Sequence, residues 1–171
     1  MRPEHSEYPP YFEAYISKVE GEDIQSILSD SPENLQQELA AIPDSQADFR
    51  YAPGKWSIRE MLQHCIDTER IFAYRALCLS RGEPQPLPGF DQDLYIQNID
   101  ISNRSLPSLK EELLWVRRTT VQLFTPLGPK ELSRTGIIGG NTVSVLSLGF
   151  IIMGHWLHHR DLLRKILVNG S

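Results

Sequence analysis

Three of the five histidines lie together near the C-terminus, in the stretch GFIIMGHWLHHRDLLRKIL. If this stretch forms a helix, at about 100° per residue, His155 and His159 fall in the centre of its apolar stripe and His158 falls on the edge. Two histidines at positions i and i+4 place ring nitrogens within reach of one metal ion, at bond lengths of about 2.0–2.1 Å. The spacing therefore permits a divalent metal site.

The same spacing is equally compatible with a structural or surface role for the pair. Buried imidazoles need polar partners, which hydrogen bonds within a core usually provide. The pair also differs from the HExxH motif of zinc proteases, because Trp156 stands where that motif has its catalytic glutamate. A third ligand would favour a metal, and His64 is the candidate. Its place at the margin of the apolar face of its own helix permits an orientation toward the core without requiring it.

Four predicted helices must position these residues, at about 22–42, 57–80, 105–124 and 141–168, with Asn169–Gly170 as a stop. Ser57 and Glu60 form a capping box at the start of the second helix. Long connections rich in proline and glycine separate the helices, and only RTGIIGGNTVSV could hold a short extended piece. The sequence therefore predicts an all-α fold, a four-helix bundle with long crossover loops.

The chain has 171 residues, enough for one domain with its own core. We predict an N-terminal tail at residues 1–20, with a short helix around 11–19, and a single bundle domain at residues 21–171. Cys65 and Cys78 would lie about 20 Å apart on one helix, too far for a disulfide. The N-terminus is polar and contains proline, so it does not resemble a signal peptide. Together with the unpaired cysteines, this predicts a reduced, cytoplasmic protein.

Charge and hydropathy argue against two classes of partner. The net charge of −5 disfavours a nucleic-acid surface, which needs a basic excess. No apolar run approaches the roughly 18 residues of a membrane span, since serines and glycine interrupt VSVLSLGFIIMG. We therefore expect neither nucleic acid nor membrane as a partner, and a small-molecule substrate instead.

Four stretches, taken in order, carry a resemblance to a known family: GKWSIREMLQHCIDTERIFAYRAL, PLPGFDQDLY, NRSL and GHWLHHRDLL. Together they resemble the DinB-like (YfiT-like) superfamily of metal-dependent enzymes, over residues 22–168. The resemblance implies a four-helix bundle with unusual crossovers. It also implies a metal site with one histidine from the second helix and two from the last, here His64, His155 and His159, and it leaves His158 as a non-ligand.

The resemblance further implies one divalent metal ion, zinc or nickel, since imidazole binds both. Our first hypothesis is a thiol-dependent S-transferase that joins a low-molecular-weight thiol to an electrophile. The alternatives are a metal-dependent hydrolase and a non-catalytic stress-response protein that binds a metal or small ligand. The family often forms homodimers, so we expect a homodimer here.

No catalytic residue can be assigned from the sequence. Loop position and helix face give pocket candidates, although a solvated surface position is the favoured interpretation of each: Glu69, Arg75, Asp91, Tyr95 and Asn98. Cys65 lies in the centre of an apolar stripe and is predicted to be a core thiol.

Overall fold

The computed structural model describes residues 1–169, and within them eight α-helices and one hairpin form the fold. The helices are α1 Glu13–Ile16, α2 Ile24–Ser29, α3 Ser31–Ala40, α4 Ile58–Ser80, α5 Gln92–Gln97, α6 Leu106–Phe124, α7 Pro129–Leu132 and α8 Val145–Asn169. The strands are β1 Thr135–Ile138 and β2 Asn141–Ser144, and single 3₁₀ turns lie at His5–Glu7, Pro10–Phe12 and Asp44–Gln46. Gly170, the second residue of the predicted helix stop, lies outside the described residues.

The predicted four-helix bundle is confirmed. Its members are α4, α6, α8 and the consecutive pair α2 and α3, which pack against one another. The chain leaves α2 at Asp30 and begins a new helix, α3. Pro32 in the first turn of α3 lacks an N–H group, so it cannot continue the preceding helix. Long connections carrying α1, α5, α7 and the hairpin join the bundle helices.

The last helix begins later than predicted, because residues 141–144 form a strand. β1 and β2 pair antiparallel, and Gly139 and Gly140 turn the chain between them at φ of 55° and 82°. Positive φ at both central residues is the requirement of a tight hairpin turn, which glycine meets without strain. The extended piece suggested by RTGIIGGNTVSV is therefore this hairpin.

A polar layer crosses the core at one level of the bundle. Along α4 the buried apolar residues change from one hydrophobic cluster to the other between Ile66 and Phe72, and along α8 they change between Met153 and Trp156. Several buried polar residues lie at or beside this level, from α4, α6 and α8: Thr68, Glu69, Arg117, Thr120 and His155. Such a layer requires partners for every polar group.

The first 20 residues pack along α8. Tyr8, Ile16 and Val19 are buried, and the Arg2 guanidinium donates to the carbonyl oxygens of Val19 and Ile16 at 2.6 and 2.7 Å. The division into a tail and a domain at residue 21 stays a prediction. A search of the described residues for a helix long and apolar enough to span a membrane finds none.

The capping box at the start of α4 is present in full. Ser57 Oγ accepts from the Glu60 N–H at 3.2 Å, and the Ser57 N–H donates to Glu60 Oε2 at 2.6 Å. We expect Ser57→Ala to lower the free energy of unfolding by about 1 kcal/mol, because a buried helix terminus loses one N–H partner. Urea unfolding measures the change. Ser17→Ala, at an exposed site after α1, is the control, and an equal loss in both variants would contradict the role of the cap.

Candidate metal centre

Three histidine rings converge between α4 and α8. His64 Nε2 lies 2.9 Å from His155 Nε2, and His159 Nε2 lies 3.2 Å from the same atom. All three side chains are buried, and their candidate ligand atoms lie within 4.8 Å of one another. His155 and His159, on successive turns of α8, and His64 on α4 thus direct three ring nitrogens toward a common point.

The distances between these nitrogens fit a shared cation. Nitrogens bonded at about 2.0–2.1 Å to one metal ion lie roughly 2.8–3.4 Å apart when the angles between them are about 90–109°. The two short separations match this range, and no other group of three or more histidine, cysteine or acidic side chains in the described chain offers such a set. The residues present therefore fit a divalent metal.

The polar surroundings of the rings are sparse. Thr68 Oγ1 lies 3.3 Å from His64 Nδ1, which leaves Nε2 of that ring for the cluster. His159 Nδ1 is buried without a hydrogen-bond partner in the described part of the chain. Partners of the outer nitrogen normally fix the tautomer and orientation of a ligating histidine, so Thr68 is the orienting residue for His64.

Burial holds the three rings in their uncharged form. It lowers the pKa of His64 to about 4 and that of His159 to about 3, and it lowers the pKa of His155 well below its usual value. In each case desolvation is the largest cause and neighbouring imidazoles add to it. Neutral imidazole is the state that donates a lone pair to a metal.

Two cavities open beside the cluster. The aromatic cavity, of about 370 Å³, reaches His155, and its other walls include Tyr11, Phe12, Tyr15, Thr68, Phe72, Arg75, Phe90 and Gln92. The second cavity, of about 270 Å³, reaches His159 and is lined also by Tyr51, Lys55, Trp56, Met61, Asp93 and Leu162. Gln92 lines the first cavity and Asp93 lines the second, so the start of α5 borders both cavities.

Aromatic rings surround the imidazoles. Tyr15 meets the His155 ring edge-on with 5.5 Å between centroids, and the Trp56 ring lies 4.7 Å from the ring of His64. Phe72 lies 6.4 Å from His155. Such walls exclude water from one side of the cluster and offer an apolar surface to a ligand.

Of the five pocket candidates, only Arg75 lines the aromatic cavity. Glu69 instead forms a buried ion pair with Arg117. Asp91 caps α5, accepting at 3.0 Å from the backbone N–H groups of Asp93 and Leu94.

The remaining pocket candidates, Tyr95 and Asn98, lie at the surface, and so does His158. Tyr95 is about half exposed and packs on Phe90, and Asn98 is exposed at the end of α5. His158 is exposed in a groove with Lys18 and Asp161, outside the three-histidine set. Cys65 is buried in the core, as predicted, and burial raises the pKa of its thiol.

Sequence reasoning missed the contribution of the N-terminal segment. Tyr11, Phe12 and Tyr15 all line the aromatic cavity, although they fall in the predicted tail. Together with Tyr8 they follow a spacing of i, i+3, i+4 and i+7, which is typical of one helical face. That aromatic spacing was the available signal that residues 1–20 pack against the bundle.

Comparisons with known proteins agree with this fold. The family model of the DinB superfamily matches residues 27–163. A solved structure of YfiT from Bacillus subtilis, described as a probable metal-dependent hydrolase with an unusual four-helix bundle topology, aligns with a TM-score of 0.68. The alignment covers 97% of this chain and 91% of that one at 17% sequence identity, so it demonstrates a shared fold. Among curated proteins, none matches the sequence.

Proposed function

The chain belongs to the DinB superfamily, and on this premise we propose that it is an enzyme whose divalent metal is held by His64, His155 and His159. The observation that carries the proposal is the convergence of three buried, uncharged imidazoles on one point. Three protein ligands leave coordination positions open, which is typical of catalytic rather than structural metals. The proposed ion is zinc or nickel, both of which bind imidazole.

The proposed reaction is the transfer of a low-molecular-weight thiol to an electrophile. When bound, the metal lowers the pKa of a thiol or a water molecule beside it and supplies an anionic nucleophile near neutral pH. A sulfur–carbon bond forms, the bond from that carbon to its leaving group breaks, and the thiol proton passes to water. The chain contributes the aromatic cavity, which binds the organic substrate next to His155 and limits access of water.

The composition of the aromatic cavity favours a thiol over water as nucleophile. No Asp, Glu or Cys is among the described residues that line it, so it supplies no carboxylate to act as general base. A free thiol has a pKa of about 8.5 and water one of about 15.7, so water needs more help from a base. A thiol-dependent reaction therefore does not require a general base among the residues of this cavity.

Hydrolysis is the second candidate, and one feature of the chain favours it. Asp93 lines the second cavity together with His159, where its carboxylate could act as general base toward a water molecule. The fold shared with YfiT, described as a probable metal-dependent hydrolase, adds to this alternative. The predicted homodimer and the predicted cytoplasmic location remain predictions.

Metal content tests the ligand set. We expect purified, untagged protein to contain about one zinc or nickel ion per chain by plasma mass spectrometry, and His64→Ala and His155→Ala to lose it, since two nitrogens no longer hold the ion tightly. His158→Ala is the matched control and should keep its metal. A wild-type protein that stays metal-free after reconstitution with zinc or nickel would overturn the proposal.

Turnover tests the reaction. Metal-loaded protein is assayed with glutathione or cysteine and monochlorobimane, and separately with 4-nitrophenyl acetate in the absence of thiol. Thiol-dependent turnover that His155→Ala abolishes supports S-transfer, whereas ester cleavage without thiol, lost in Asp93→Asn, supports hydrolysis. Metal binding without turnover in either assay contradicts both, and supports a protein that binds metal without catalysis.

A further inference from the structure

Arg75 is a buried cation on α4. Its side chain is 5% exposed, and its Nη2 group donates to the carbonyl oxygen of Pro88 at 2.7 Å. The rings of Phe72 and Phe90 each lie 5.4 Å from the guanidinium carbon. Arginine stays charged even where burial lowers its pKa, as it does here.

None of the described carboxylates pairs with this cation. The ionisable groups that act on Arg75 are the hydroxyls of Tyr11 and Tyr95, and no carboxylate is among them. Arg117, the other buried arginine of the core, differs sharply, because Glu69 accepts from it twice at 2.8 Å. A buried charge without a counter-ion is unfavourable, so its retention in a folded protein points to a partner that arrives from outside.

The position of Arg75 indicates where that partner binds. Its side chain lines the aromatic cavity, and the same cavity reaches His155. The Phe72 ring is near both residues, with its centroid 5.4 Å from the guanidinium carbon and 6.4 Å from the centroid of the His155 ring. A ligand that contacts both Arg75 and His155 in this cavity would also meet aromatic side chains.

We propose that Arg75 binds a carboxylate of a small organic substrate in the aromatic cavity, which also reaches His155 of the candidate metal centre. The planar guanidinium has five N–H donors and matches a carboxylate with two parallel hydrogen bonds. One hydrogen bond to Pro88 occupies Nη2, so donors remain for a ligand. The inference rests on the proposed function in one respect: the carboxylate belongs to the substrate of the metal-dependent reaction.

Calorimetric titration with two probes of the same shape tests the assignment. The probes are 3-phenylpropionate, which carries a carboxylate, and 3-phenylpropanamide, its neutral counterpart. We expect the wild type to bind the carboxylate about 10- to 100-fold more tightly than the amide, as for a charged hydrogen-bonded pair. Arg75→Met should remove this preference, because it weakens binding of the carboxylate far more than binding of the amide. Arg118→Met, at an exposed arginine over Trp115, is the matched control.

A metal-free variant separates the two proposals. His64→Ala should lose the metal without changing the lining of the aromatic cavity, and we expect it still to prefer the carboxylate. If the preference disappears in His64→Ala and persists in Arg75→Met, the metal is the carboxylate receptor and the inference is overturned, although the metal site stands. If the wild type shows no preference, the inference is also overturned.

Stability gives an independent readout. Removing a buried cation that lacks a counter-ion should raise the melting temperature, so we expect Arg75→Met to melt higher than the wild type and Arg118→Met to melt unchanged. Pro88 is exposed, so water can replace the lost donor to its carbonyl oxygen. A clear fall in melting temperature of Arg75→Met would mean that the arginine serves the fold, which contradicts the inference.

Discussion

Replacing Glu69 with leucine is expected to lower the free energy of unfolding by about 3–5 kcal/mol, because the Arg117 guanidinium is then buried without a counter-charge. Arg117 is 1% and Glu69 4% exposed, and the two join through a pair of 2.8 Å hydrogen bonds. Arg117 also donates to Met153 Sδ at 3.1 Å. The pair therefore links α4, α6 and α8 at the level of His155, and its loss would remove a large part of a typical stability of about 5–15 kcal/mol.

Urea unfolding of three variants measures this effect. The double variant Glu69→Leu/Arg117→Met should recover most of the loss, since apolar side chains of similar volume can replace a buried ion pair. Glu112→Gln is the surface control: its carboxylate pairs with Arg70 and Arg104 in partly exposed positions, and we expect a change below about 1 kcal/mol. A single variant as stable as the wild type would show that the buried pair does not hold the polar layer together.

Replacing Gly154 with alanine should detach the N-terminal segment from α8. A Cβ atom at this position would lie 2.1 Å from the carbonyl oxygen of Tyr15 and 2.4 Å from its carbon, which are backbone atoms of α1. A backbone carbonyl group cannot change rotamer to relieve the clash as a side chain can. We therefore expect α1 to move and to take Tyr15 away from His155. Overpacking of this kind costs about 1–3 kcal/mol, and in a chain of this size each kcal/mol lowers the melting temperature by about 2–4 °C.

Hydrogen exchange and calorimetry measure the displacement. In Gly154→Ala we expect faster exchange of the backbone amides around α1 together with a lower melting temperature. Gly149→Ala is the matched control on the same helix, where the new Cβ would meet the Ile24 side chain at 2.6 Å and the Phe124 ring at 3.0 Å. We expect it to lower stability without changing exchange in α1. Unchanged exchange and melting in Gly154→Ala would refute the contact.

The fold could be predicted because its signals are local. The capping box at Ser57, the 3.6-residue periodicity and the long proline-bearing connections belong to short stretches of chain, and they predicted the helical bundle that the structure and the similarity to YfiT confirm. The motifs resembling the DinB-like superfamily are likewise local, and the family match over residues 27–163 confirms that resemblance. The spacing of His155 and His159 is a property of one helix and needed no neighbour.

Helix periodicity left the direction of His64 open, although the family resemblance implied that it joins His155 and His159, and the tertiary structure brings the three rings together. Periodicity shows which face of a helix is apolar, but it does not show which helix packs on that face. His64 lies at the margin of its face, so only the packing of α4 on α8 brings its Nε2 to 2.9 Å from His155. The metal-ligand role of the three histidines remains a proposal that this packing supports.

Periodicity also did not show which of Glu69 and Arg75 would have a partner of opposite charge. Both are charged residues of α4, and the sequence offered both as pocket candidates. Arg117, 48 positions beyond Glu69, pairs with its carboxylate, whereas no described carboxylate pairs with Arg75. Partners so distant in sequence leave no local signal, because the free energy of a buried charge depends on whatever the fold brings beside it. The sequence by itself determined the helices and the spacing of their histidines, and the packing of the helices decided which charges are paired in the core and which face the cavity.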